Sequence, residues 1–198
     1  MENPLHALLF AEDLLEYVLK KFGITWVDNE SGIRRLRQHI DEHQFDKDVG
    51  ESVHSLIIYY QDNIKDNYNK LMEKGITSVH DFRYECAVTL IFYFSATGYD
   101  NVKFLKMCAS LVGLTQQYFE KNEEIVASRI ALATSEILAY LINFYIFKQT
   151  IKPGDLWIQL KLTGRTLMRK ICLDVPLPDT DEQILSLFSR IKDWMYFS

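Results

Sequence analysis

Two consecutive stretches of the chain, about 100–121 and 123–149, are apolar nearly all the way round a helical wheel. Only the polar step Lys121-Asn122-Glu123 divides them. The first carries Val102, Phe104, Leu105, Met107, Cys108, Leu111, Val112 and Leu114, and the second is strongly apolar from Ile137 to Phe147. A helix with no polar face has to be surrounded by other elements. The rest of the chain must therefore supply a jacket, and its elements should be apolar on one side only.

The periodicity predicts that jacket. Residues 5–22 place Leu8, Leu15, Val18, Leu19 and Phe22 on one face, with Glu12, Asp13, Glu16 and Lys20 between them. Gly23 is placed to end that helix. Ser31 can cap a second helix over 32–44, which carries Ile33, Leu36 and Ile40, and the polar run Asp46 to Gly50 should break it. A third is expected over 51–73 with Val53, Leu56, Ile57, Tyr60 and Ile64 inside, ended by Gly75. Thr77 or Ser78 should cap a fourth over 78–95, up to Gly98. Asn122 is expected to cap the second apolar stretch, with Glu123 and Glu124 at its positive end. Pro153-Gly154 reads as a turn, followed by a helix over 155–170 and a last one over 181–196. Only 8 Gly and 4 Pro occur in 198 residues, too few for the many turns of an all-β chain. The expectation is a single all-α domain over 1–198 of about eight helices, with a central buried hydrophobic helix pair.

Charge and cysteines narrow the function. The net charge of -5 argues against nucleic acid, whose phosphates are met by basic surfaces. The one basic cluster, Lys161, Arg165, Arg169 and Lys170, reads as a solvated helix face or as a contact for phosphate or acidic lipid. Three separated cysteines, Cys86, Cys108 and Cys172, suit a reducing compartment. The acidic start of the chain is not a signal peptide, and no run of about 18 uncharged apolar residues is present.

Catalytic patterns are sparse, and no enzyme or cofactor is expected. His39 and His43 are one helical turn apart and could share a metal with Asp46 or His54. A zinc-protease motif, however, needs Glu where Ile40 stands. No serine has the flanking glycines of a nucleophile elbow. The carboxylates are expected on helix exteriors.

Four segments carry a resemblance. Leu14 to Trp26 resembles the Bcl-2 homology 4 region, the first helix of the Bcl-2 family of apoptosis regulators, with Ile24 where an aromatic is usual. Leu36-Arg37-Gln38-His39-Ile40-Asp41 is similar to the Bcl-2 homology 3 pattern Leu-x-x-x-Gly-Asp, with Ile40 in place of the small residue. Gly98 to Leu105 looks like the start of that family's central helix, Tyr99 standing for a tryptophan and Asn101 for an arginine. Ala109-Ser110 would be its small-small pair. Lys152 to Trp157 resembles the turn of the Bcl-2 homology 2 region, with Trp157 displaced and read as a core anchor before a ligand contact.

The resemblance implies a Bcl-2-like bundle and a pro-survival protein that holds death-ligand helices in a hydrophobic groove. The groove would be formed by Ile57, Tyr60, Phe82, Leu90, Phe92, Tyr99, Val102 and Leu105, with Asn101 and Lys103 meeting the ligand's aspartate. The implied partners are pro-apoptotic members of the family or their helical motifs. The implied location is the cytoplasm, reaching to the mitochondrial outer membrane, with peripheral membrane contact and homodimer formation as further expectations. Two rival readings stand beside it: an interaction scaffold of the same fold with its groove closed, and a metal-binding helical enzyme using His39 and His43.

Overall fold

The computed structural model describes residues 4–26, 45–146, 153–175 and 177. The expected helices at 32–44 and 181–196 lie outside these, as do His39, His43 and the segment 36–42. Among the described residues the chain is all-helical, with seven α-helices and no strand. They are α1 (Pro4–Lys21), α2 (Lys47–Tyr59), α3 (Gln61–Glu73), α4 (Val79–Thr97), α5 (Asn101–Lys121), α6 (Glu124–Leu141) and α7 (Pro153–Cys172). A π-turn, Ile142–Ile146, extends α6.

The most apolar stretch forms the most enclosed element. Every residue of α5 from Phe104 to Thr115 is buried. The helix touches α1, α2, α3, α6 and α7. Its start is fixed by Asp100, whose carboxylate accepts the Lys103 N–H at 2.8 Å. Its partner α6 joins it through the Thr134 hydroxyl, which donates to the Thr115 hydroxyl at 2.7 Å, while Thr115 donates to the Leu111 carbonyl at 2.9 Å. By length and composition the stretch Glu124–Phe144 could cross a membrane. In this fold 61% of its most apolar window is buried against the other helices.

Several sequence expectations need correction. The run Asp46 to Gly50, expected only as the break after 32–44, also starts a helix of its own. Asp46 caps α2 by accepting the Asp48 N–H at 2.8 Å. Gly50 lies inside that helix, where an added Cβ would stand 2.5 Å from the Tyr17 ring. It is a point of close approach to α1. The expected helix 51–73 is two helices broken at Tyr60, whose backbone leaves the helical region with ψ 19°. The apolar stripe keeps its phase across the break, so periodicity could not reveal it. Asn122 does not cap α6. Its N–H closes α5 on the Tyr118 carbonyl, and its amide donates to the Tyr68 hydroxyl at 2.8 Å. Pro153 opens α7 as its first residue, where its missing N–H is harmless. Glu12 was expected on the exterior and is buried, as is Lys106 of α5.

Two further glycines mark helix crossings. A Cβ on Gly113 would meet Ile64 of α3 at 2.7 Å, and one on Gly164 would meet the Ser52 hydroxyl of α2 at 2.8 Å. The α2–α7 contact is also tied by charge. The Lys161 ammonium donates to Asp46 at 2.5 Å, and Arg165 reaches Asp48 at 2.6 Å. Half of the basic cluster is thus engaged within the fold.

Candidate functional site

The residues expected to line a groove fall into two groups. Ile57, Tyr60, Phe82, Leu90 and Leu105 are buried in the core. Phe82 is set edge-on against Tyr118, with ring centroids 5.5 Å apart. Tyr99, Asn101, Val102 and Lys103 are partly exposed, clustered where α4 ends and α5 begins. Gly98 makes that junction: its φ of 70° is a conformation glycine reaches without strain, and it ends α4. Phe92 lies on α4, and its side chain is outside the described residues.

At the junction the polar groups satisfy one another. The Tyr99 hydroxyl donates to the Asn101 side-chain oxygen at 2.7 Å. The Lys103 ammonium lies 3.4 Å from the Asp100 carboxylate. Tyr99 is wedged between Phe94 and Phe104, with centroids 6.2 Å from each. Burial pushes its hydroxyl well above the ordinary tyrosine range, with the nearby Cys108 and Asp100 adding to the effect. It acts as a neutral donor. A ligand carboxylate arriving here would find an amide and a lysine already shared with Asp100.

Leu90 belongs to a different surface. It lines an open cleft of about 160 Å³ between α4 and α6, with Arg83, Ala87 and Ile91 on one wall and Glu136, Ile137, Tyr140 and Leu141 on the other. Arg83 and Glu136 bridge its rim at 2.5 Å. Sequence reading did not single out this cleft, because its walls come from two helices some fifty residues apart.

The remaining candidates have structural partners. Trp157 is buried, 4.6 Å from Phe10 between ring centroids. Ala109 and Ser110 are buried, Ser110 donating to the Lys106 carbonyl at 3.1 Å. His54 stands against the Phe22 ring at 4.8 Å. Burial holds its pKa below the usual value against the opposing pull of Glu51. Among the described residues no three His, Cys, Asp or Glu side chains are grouped to hold a metal ion. Cys86 and Cys108 are buried, which pushes both thiols far up and makes them poor nucleophiles, while Cys172 is exposed.

No protein family, no characterised protein and no solved structure matches the chain.

Proposed function

We propose that this protein is a Bcl-2-like regulator that works by binding an amphipathic partner helix, and that it is not an enzyme. The observation that carries the reading is α5. Its unbroken burial from Phe104 to Thr115, in contact with α1, α2, α3, α6 and α7, supports a bundle built round one apolar helix.

In this reading the groove is shut in the described conformation, since five of its expected lining residues are core. A ligand enters by displacing apolar contacts with its own. Four apolar anchors contribute about 1.5–3 kcal/mol each. Ordering of the peptide and reopening of the groove offset part of that gain, which leaves room for submicromolar affinity. The rival scaffold with a permanently closed groove is favoured by the same burial and by the open cleft between α4 and α6.

Titration of a panel of fluorescent death-ligand peptides separates the two. The reading expects submicromolar binding that Val102→Glu weakens by about tenfold or more, because Val102 is accessible and a charge there would face the ligand's apolar side. Leu105→Glu is a poor probe, since Leu105 is fully buried and the variant would report on folding. Absence of binding across the panel at about 100 μM, some 5.5 kcal/mol of affinity, discards the groove and leaves the scaffold.

A further inference from the structure

The solvent-facing side of α6 is complementary to its own reverse. Its accessible residues at successive turns are Ile125, Arg129, Leu132, Glu136 and Tyr140. The order is apolar, cation, apolar, anion, apolar. Ile125 is 67% exposed and Tyr140 48%, both large side chains left in water. Phe144, also exposed, stacks on Tyr140 with 12° between the ring planes and extends the apolar end. Ile91 of α4 widens it across the cleft.

Turned end for end about Leu132, this stripe matches itself. Arg129 and Ile125 are four residues apart, as are Glu136 and Tyr140. An antiparallel copy therefore sets Arg129 against Glu136 and Ile125 against Tyr140, twice in each pair of molecules. Self-complementarity of this kind is what a two-fold interface requires. Among the described residues Arg129 has no carboxylate partner within its own chain. Glu136 has one, Arg83, and a carboxylate can accept from two guanidinium groups. A membrane surface fits less well, since leaflets are anionic and Glu136 stands in the middle of the patch.

We infer that the α6 stripe and the adjoining α4–α6 cleft form a homodimer interface in which Arg129 of one protomer meets Glu136 of its partner. The inference is independent of the peptide groove, sharing with it only the cleft residue Leu90.

Sedimentation equilibrium of the full chain tests the affinity, and cysteine cross-linking tests the register. The wild type is expected to dimerise at concentrations on the order of 100 μM or below. Arg129→Glu should weaken the dimer by about tenfold or more, because it sets like charges opposite each other at two places. That position is exposed, so the thermal midpoint at low concentration should not move. In a Cys172→Ser background, with an added oxidant, a mixture of the Ile125→Cys and Tyr140→Cys proteins should give a disulfide-linked pair. Ile125→Cys alone should not, since antiparallel pairing separates its two copies by about 22 Å along the axis. A wild type that stays monomeric overturns the inference, whether or not it binds anionic vesicles. So does Arg129→Glu dimerising as tightly as wild type, or Ile125→Cys cross-linking to itself in preference to Tyr140→Cys.

Discussion

Replacing Gly50 by alanine should destabilise the fold, although the same change in an exposed helix stabilises it by about 1 kcal/mol. The new Cβ would stand 2.5 and 2.8 Å from two carbons of the Tyr17 ring and 3.0 Å from the Phe45 ring. Carbon atoms rest about 3.5–4.0 Å apart, so the ring must retreat by about 1 Å. It is poorly placed to do so. Its hydroxyl is tied to Glu51, which Lys21 also engages, and Phe45 lies 5.5 Å away between centroids. Overfilling a tight contact costs about 1–3 kcal/mol, and a lost hydrogen bond adds about 1 kcal/mol. Against the gain in helix propensity, the net loss should be about 1–3 kcal/mol. Urea unfolding reads it as a lower midpoint at unchanged slope. The decisive comparison is a double-mutant cycle with Tyr17→Ala. With the ring gone, Gly50→Ala should reverse sign and stabilise by about 0.5–1 kcal/mol relative to Tyr17→Ala alone. A stabilising Gly50→Ala in the otherwise native chain, or the same value in both backgrounds, would refute the reasoning that this glycine exists to let α1 approach α2.

Two smaller expectations follow from charge and burial. Partial burial raises the Asp46 carboxyl, but the Lys161 ammonium, the Asp48 N–H and the Arg165 guanidinium outweigh it and hold the pKa below its ordinary value. A carboxyl lowered on folding adds stability that is complete above its unfolded-state pKa, about 4, and is lost as the pH falls through the folded value. Lys161→Met should therefore cost up to about 1 kcal/mol at pH 6, as fits a pair about one-third exposed, and less at pH 2.5; equal losses at both would show that packing, not charge, carries the contact. A colorimetric thiol reagent should find one fast-reacting cysteine, Cys172, in the native protein and all three after denaturation; rapid reaction of Cys86 or Cys108 would contradict their burial.

Much of the architecture was legible because it rests on local patterns. The 3.6-residue period places α1, α4 and α5 to within a few residues and the start of α6 to within one. Thr77 or Ser78 is the expected cap of α4, and the structure uses Ser78, which accepts the Asp81 N–H at 3.1 Å. Misreadings came where one residue type serves two ends. Glycine ends helices and also lets them touch, and sequence cannot say which without the neighbour: Gly75 and Gly98 adopt positive φ, while Gly50, Gly113 and Gly164 sit under another chain segment. Asp46 and Lys161 are 115 residues apart, so no window along the chain could pair them.

The expected groove was the hardest reading to draw from sequence, for a physical reason. A core and an apolar groove make the same demand on sequence, a stripe of large aliphatic and aromatic residues on one helix face. Ile57, Phe82, Leu90 and Leu105 satisfy both, and only their burial distinguishes the two. The α6 stripe is the opposite case. Large apolar side chains at Ile125 and Tyr140 stand on the face that points away from α5, where the core makes no claim on them. An apolar residue inside a fold explains itself by burial. Those held in water at matching positions around Arg129 and Glu136 are the ones the proposed dimer would cover, and their pattern stands in the sequence without any reference to the interior.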